Sequence, residues 1–121
     1  MNNPRPAPGL SVVIPAYNEE RTLAEIVAKV QAIPQLREII IVDDCSQDST
    51  PEIGARLAAA DPRIRYVRQP KNAGKTEALK TGFALTTGEV VIVQDADLEY
   101  DPEDIPSVIA PIMEGHAAVV Y

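Results

Sequence analysis

The chain has 121 residues, 18 acidic against 11 basic, for a formal charge of −7 and a pI near 4.6. That length suits one domain, and a hydrophobic content of 45% excludes a disordered chain, which would be much poorer in Leu, Ile and Val. The acidic balance argues against non-specific binding to nucleic acid or to an anionic membrane, because the long-range field repels polyanions.

Residues 1–9 carry Pro and Asn where a signal peptide needs an apolar stretch. They read as a disordered lead, with the chain in the cytoplasm. Apolar runs such as Ile39–Val42 and Val90–Val93 are four residues long, far short of the roughly 20 that cross a bilayer. The single cysteine, Cys45, excludes an intrachain disulfide.

Residues 10–121 form the expected domain. Leu10-Ser11-Val12-Val13-Ile14 reads as a buried strand stopped by Pro15. Leu23, Ile26, Val27, Val30 and Ile33 then recur at helical spacing, until Pro34 ends the stripe. Glu38–Val42 is a second β-branched run and empties into Asp43-Asp44-Cys45-Ser46-Gln47-Asp48. A second helix starts near Ser49, with Glu52 completing a capping box and Pro51 in the first turn. Ile64–Val67 gives a third strand, Gly74 to Thr86 a third helix, and Val90–Val93 a fourth strand that runs into Gln94-Asp95-Ala96-Asp97. Pro102–Glu114 reads as a fourth helix interrupted by Pro106 and Pro111, and Ala117–Tyr121 as a fifth strand. This alternation predicts an α/β fold with right-handed crossovers and a mostly parallel sheet covered on both faces.

Ligands of such sheets bind beyond the carboxyl ends of the strands, where the strand order reverses. Tyr17-Asn18-Glu19, Asp43-Asp44 and Asp95-Ala96-Asp97 each follow a strand, so the fold brings all three to one edge. Asp95 and Asp97 flank a small residue, a spacing that lets two carboxylates face one oxygen-loving cation such as Mg²⁺ or Mn²⁺. A lone Asp-x-Asp more often caps the next helix, but capping does not call for carboxylates at two other strand ends. Glu99 is the favoured extra ligand and Asp101 the solvated neighbour. Of the pair at the second strand, one carboxylate can accept loop amides while the other meets a ligand N–H such as a nucleobase imide. Both capping the loop is the competing reading. Tyr17 offers a stacking face with a polar tip. Lys75 opens the third helix, within reach of a phosphate or as plain surface. His116 reads as an exposed turn residue and Cys45 as a loop thiol without a base beside it.

Ser11-Val12-Val13-Ile14-Pro15-Ala16-Tyr17-Asn18-Glu19-Glu20, Ile41-Val42-Asp43-Asp44-x-Ser46-x-Asp48-Ser49-Thr50, Asn72-x-Gly74-Lys75 and Gln94-Asp95-Ala96-Asp97-Leu98-Glu99 together resemble glycosyltransferase family 2 of the GT-A fold. The closest likeness is to its polyprenyl-phosphate (dolichyl-phosphate) mannosyl- and glucosyltransferase branch. The resemblance implies that Pro15, Tyr17 and Glu19 line a nucleoside pocket, with Val42 and Asp44 holding the base. It implies that Asp95, Ala96 and Asp97 meet a nucleotide-diphosphate sugar of the GDP-mannose or UDP-glucose type, and that Asp97 and Glu99 bind Mg²⁺ or Mn²⁺, making Asp97 the catalytic residue. Asp44→Asn is then expected to weaken nucleotide binding and leave folding barely changed. A lipid-phosphate acceptor attacks the anomeric carbon itself in that branch, so inverting transfer needs no general base. Cys45 stands where relatives have Gly, Ala or Asn, and Thr76 where many have Gly. Relatives continue past the fifth strand, so the chain is expected to be the donor-binding half of a larger enzyme, to self-associate and not to complete turnover alone.

Two rival readings come from other classes. A response-regulator receiver shares the size and acidity, but its acidic pair follows the first strand, whereas this one follows the second. A P-loop nucleotidase is suggested by Gly74-Lys75-Thr76, yet Gln69 stands where the motif needs its first Gly.

Overall fold

The computed structural model describes residues 9–97 and 118–120. In chain order the elements are β1 (Leu10–Ala16), α1 (Leu23–Gln31), β2 (Leu36–Asp43), α2 (Thr50–Ala60), β3 (Ile64–Arg68), α3 (Lys75–Leu85), β4 (Val90–Val93) and β5 (Ala118–Val120). The helix expected over Pro102–Glu114 lies outside the described residues, as do Glu99, Asp101 and His116. So does the lead of residues 1–9 apart from Gly9, whose carbonyl accepts the N–H groups of Glu89 and Val90.

The five strands form one sheet in the order β3-β2-β1-β4-β5, every pairing parallel. The alternating side chains of the strands divide the core. Leu10, Val12 and Ile14 of β1 and Ile39 and Ile41 of β2 meet Leu23, Ile26, Val27 and Val30 of α1, with Ile53 and Leu57 of α2 packed against them. Val13, Ile40, Val42 and Val91 face the other way, against Ala78, Leu79 and Phe83 of α3. Helices therefore cover both faces, as expected. A Cβ on Gly82 would lie 2.4 Å from Val13 Cγ1, so the small residue sets how closely α3 approaches the sheet.

The strand order reverses between β1 and β4, which places the ligand-binding crevice between their carboxyl ends. It also excludes the receiver reading, since receivers use the order 2-1-3-4-5. Pro15 belongs to β1 rather than stopping it, paired in register with Val42. The β1 carbonyls alternate, Val13 accepting from Gln94 of the β4 side and Ala16 from Asp44 of the β2 side. Pro15 therefore faces β4, to which it has no N–H to donate, and the β1–β4 ladder ends at Val13–Val93. The two strands part there, and the opening between them is the cleft.

Candidate functional site

A cleft of about 300 Å³ lies at this carboxyl edge, lined by Pro15, Ala16, Tyr17, Glu19, Asp44, Lys75, Ala78, Asp95, Ala96 and Asp97. Three of the four strands that precede it supply its walls, and α3 supplies the fourth side. Of the residues singled out by sequence, Val42 is displaced: its side chain is fully buried under α3, because strand alternation turns it inward while the chain passes the cleft. Ala16 and Ala78 line the cleft although sequence gave them no chemistry.

Tyr17 is 44% exposed, the one large exposed hydrophobic side chain among the described residues. Its ring is available for stacking. Glu19 sits beside it, and its carboxyl is pushed above its ordinary value by partial burial and then by the negative charge of Asp97, with Asp48 and Asp95 adding to the effect against the Thr22 hydroxyl. The Thr22 hydroxyl also donates to the Ala96 carbonyl, which ties the start of α1 to the Asp95-Ala96-Asp97 turn. Lys75 Nζ lies 2.6 Å from Asp95 Oδ1. Lys75 thus lines the cleft, with its side chain still 57% exposed.

Asp43 and Asp44 both hold loops. Asp43 is fully buried, its Oδ1 accepting the Ser46 N–H at 2.8 Å and its Oδ2 accepting the Tyr66 hydroxyl at 2.5 Å. Asp44 accepts the Ala73 N–H at 2.8 Å and the Gly74 N–H at 3.0 Å. It is therefore a latch between β2 and the N-terminus of α3 as well as part of the cleft wall. This geometry argues against the expectation that Asp44→Asn leaves folding barely changed. Gly74, with φ of 94°, adopts a conformation that side chains resist, and this turns both amides toward Asp44.

The loops after β1 and β2 are stitched together by bonds no local pattern encodes. The N–H groups of Asn18, Glu19 and Glu20 donate to Ser46 Oγ, Thr50 Oγ1 and Asp48 Oδ2 respectively. In return, Gln47 N–H donates to Asn18 Oδ1 and Ser49 N–H to Glu20 Oε2. Glu20, not Glu52, thus takes the Ser49 amide. Asp48 caps α2 through the Thr50 N–H at 2.8 Å, while the Ser49 side chain makes no cap bond. The expected capping box gives way to these longer-range partners. Cys45 has φ of 64°, the left-handed conformation that Gly and Asn adopt most readily.

Among the described residues, no three or more His, Cys, Asp or Glu side chains gather as a metal-holding group. Glu19, Asp95 and Asp97 nevertheless all line one cleft, Glu19 responds to the charge of the other two, and carboxylates are the donor type a hard divalent cation takes.

The family profile described as "Glycosyl transferase family 2" matches residues 11–121. The chain is 35% identical over 119 residues to the undecaprenyl-phosphate 4-deoxy-4-formamido-L-arabinose transferase of Salmonella paratyphi A, covering 94% of this chain and 36% of that protein. Among solved structures, a mannosyltransferase from Pyrobaculum calidifontis in complex with GDP-Man and Mn²⁺ superposes with a TM-score of 0.68 at 33% identity, over 74% of this chain and 28% of that one. The glucosyl-3-phosphoglycerate synthase of Mycobacterium tuberculosis, in complex with Mn²⁺, UDP and glucosyl-3-phosphoglycerate, gives 0.69 at 31% identity, over 89% and 40%. The chain thus spans about a third of the length of the curated relative it matches.

Proposed function

The chain belongs to glycosyltransferase family 2, and on that premise we propose that residues 10–121 bind a nucleotide-diphosphate sugar, of GDP-mannose or UDP-glucose type, for inverting transfer to a polyprenyl phosphate. The observation that carries this reading is the convergence of Tyr17, Glu19, Asp44, Lys75, Asp95 and Asp97 on one cleft, from segments up to 80 residues apart (97 − 17). Relatives named for an undecaprenyl-phosphate acceptor and neighbours solved with GDP-Man or UDP support the substrate classes.

In this reading Tyr17 stacks on the base, Pro15 and Glu19 wall the nucleoside, and Asp44 presents its remaining lone pairs to a base N–H. Lys75 meets the diphosphate at the N-terminus of α3, where the helix field also favours an anion. Asp95 and the backbone at Ala96 position the sugar nucleotide. Asp97, with Glu99, holds the Mg²⁺ or Mn²⁺, which when bound neutralises the diphosphate and stabilises it as a leaving group. The acceptor phosphate is its own nucleophile, so the cleft's carboxylates bind and orient rather than take a proton.

Isothermal calorimetry with GDP, UDP and ADP, each with and without MnCl₂, tests this. Metal-dependent binding of GDP or UDP is expected; ATP or ADP binding that depends on Lys75 but not on Asp97 would restore the P-loop reading. Self-association of the chain belongs to the same proposal and is read by light scattering.

A further inference from the structure

Tyr66 lies outside the cleft, on β3, two strands away from β1 in the sheet. Its ring packs against α2 at Gly54, where a Cβ would fall 2.3 Å and 2.6 Å from ring atoms Cδ2 and Cε2. No larger residue leaves the ring in place. The glycine lets the phenol lie flat between α2 and the sheet, and its hydroxyl then reaches Asp43 Oδ2 at 2.5 Å.

From Asp43 the contacts run on without a gap. Asp43 Oδ1 accepts the Ser46 N–H at 2.8 Å. Ser46, itself 1% exposed, accepts the Asn18 N–H on its Oγ at 2.9 Å. Asn18, with φ of 52°, is the left-handed residue that turns the chain between Tyr17 and Glu19, and both of these line the cleft. Arg68, two residues on from Tyr66 and so on the same face of β3, donates to the Ser46 carbonyl at 3.1 Å.

A fully buried carboxylate is costly unless both oxygens are satisfied. Asp43 therefore stays where it is only while its two donors hold it. Without the phenol, the side chain gains by turning toward water, and Ser46 loses the acceptor of its amide, keeping Arg68 on its carbonyl. Burial, and then Asp43 as both acceptor and charge, push the Tyr66 phenol above its ordinary value, so it remains a donor at neutral pH.

From this chain of contacts we infer that Tyr66 is a positioning residue for the nucleotide cleft, fixing Tyr17 and Glu19 through Asp43, Ser46 and Asn18. The inference rests on the cleft being the nucleotide site. It adds a determinant of affinity that touches no ligand.

Tyr66→Phe tests it, because the ring that fills the space at Gly54 stays and only the hydroxyl goes. In the 121-residue chain, calorimetry with GDP and UDP in MnCl₂ is expected to show affinity falling about tenfold, as loss of a hydrogen bond to a buried charge implies. Amide exchange by NMR is expected to speed up at Asn18 and Ser46 well beyond any change at Ile14 and Ile41 in the sheet. Ser46→Ala cuts the same path further along and is expected to weaken binding similarly, with the double variant no worse than either single one. Simple destabilisation would instead raise exchange everywhere and leave the affinity of the folded fraction unchanged, and that result overturns the inference. If Tyr66→Phe does not fold, an unchanged affinity in Ser46→Ala overturns it alone. If the wild type binds neither nucleotide, the functional reading fails, and unchanged exchange at Asn18 and Ser46 in the variants would sink the positioning role as well.

Discussion

Asp44→Asn separates the two jobs that the structure gives one carboxylate. Asp44 is 6% exposed, and its oxygens accept the Ala73 and Gly74 amides at 2.8 Å and 3.0 Å. Whichever way an asparagine side chain turns, it sets an NH₂ group against one of those N–H groups and offers the other a neutral acceptor. Hydrogen bonds to a charged group contribute about 1.5–3 kcal/mol each, and a buried donor left without a partner costs about 1–3 kcal/mol. Gly74 is only half buried, so water relieves part of the loss. A net destabilisation of about 2 kcal/mol follows, or a fall in Tm of roughly 8–10 °C for a domain of this size. Nucleotide affinity, measured by calorimetry well below the lowered Tm, is expected to fall by about 1–3 kcal/mol if Asp44 also meets the base. An unchanged Tm in differential scanning calorimetry would refute the latch. Lowered Tm with unchanged affinity would leave the latch standing and move the base contact to another residue.

Asp97→Ala is expected to remove the Mn²⁺ dependence of nucleotide binding, and wild-type affinity unaltered by EDTA would take the metal role away from Asp97 and Glu99. Lys75→Met is expected to cost less than about 1 kcal/mol of stability, because the pair with Asp95 is 57% and 25% exposed. It should weaken binding of the diphosphate but not of the free nucleoside, and an equal loss for both would refute a phosphate role. The Glu38 carboxyl is raised by burial but lowered overall by the Ser11 hydroxyl, both donors of Thr87 and the Gly88 N–H. Its stabilisation is therefore present above the unfolded value near 4.5 and lost as pH falls through the folded value. Glu38→Gln should flatten the acid limb of a Tm-against-pH curve below that point, and an acid limb as steep as that of wild type would show that other carboxylates set it.

The strands were legible because their apolar runs are short, β-branched and punctuated by polar turns, and most of the lining of the candidate cleft was legible because each turn carries its carboxylates. Parity decides what was misread. Along β2, Ile40 and Val42 share the α3 face with Asp44, while Ile41 and Asp43 share the α1 and α2 face, where Tyr66 waits. Strict alternation would have turned Val42 into the core and parted the two aspartates. Ser49 and Glu52 have the spacing of a capping box, but spacing cannot report that Glu20 takes the Ser49 amide from 29 residues away, or that Asp48 rather than Ser49 caps the helix through the Thr50 amide. Pro15 reads as a strand stop in one dimension. In the sheet it stops one ladder and leaves the other intact, since only its β4 side lacks a donor.

The electrostatics of the cleft imply that metal and nucleotide binding are coupled in the proposed function. Among the described lining residues Lys75 is the one cation, set against Glu19, Asp44, Asp95 and Asp97. With Nζ at 2.6 Å from Asp95, it is committed to a carboxylate before any ligand arrives. A diphosphate entering a chain of net charge −7 meets repulsion that one shared lysine does not offset. The Glu19 carboxyl, raised first by burial, is raised further by the same crowding of negative charge. A divalent cation held there would lower both penalties at once and would free Lys75 to leave Asp95 for the phosphate. On this reasoning metal and nucleotide bind with positive coupling, and by linkage each raises the other's affinity by the same factor. Calorimetry of Mn²⁺ alone, of nucleotide alone and of each in the presence of the other closes that cycle. Equal affinities around it would show that the carboxylates and the diphosphate do not share a cation.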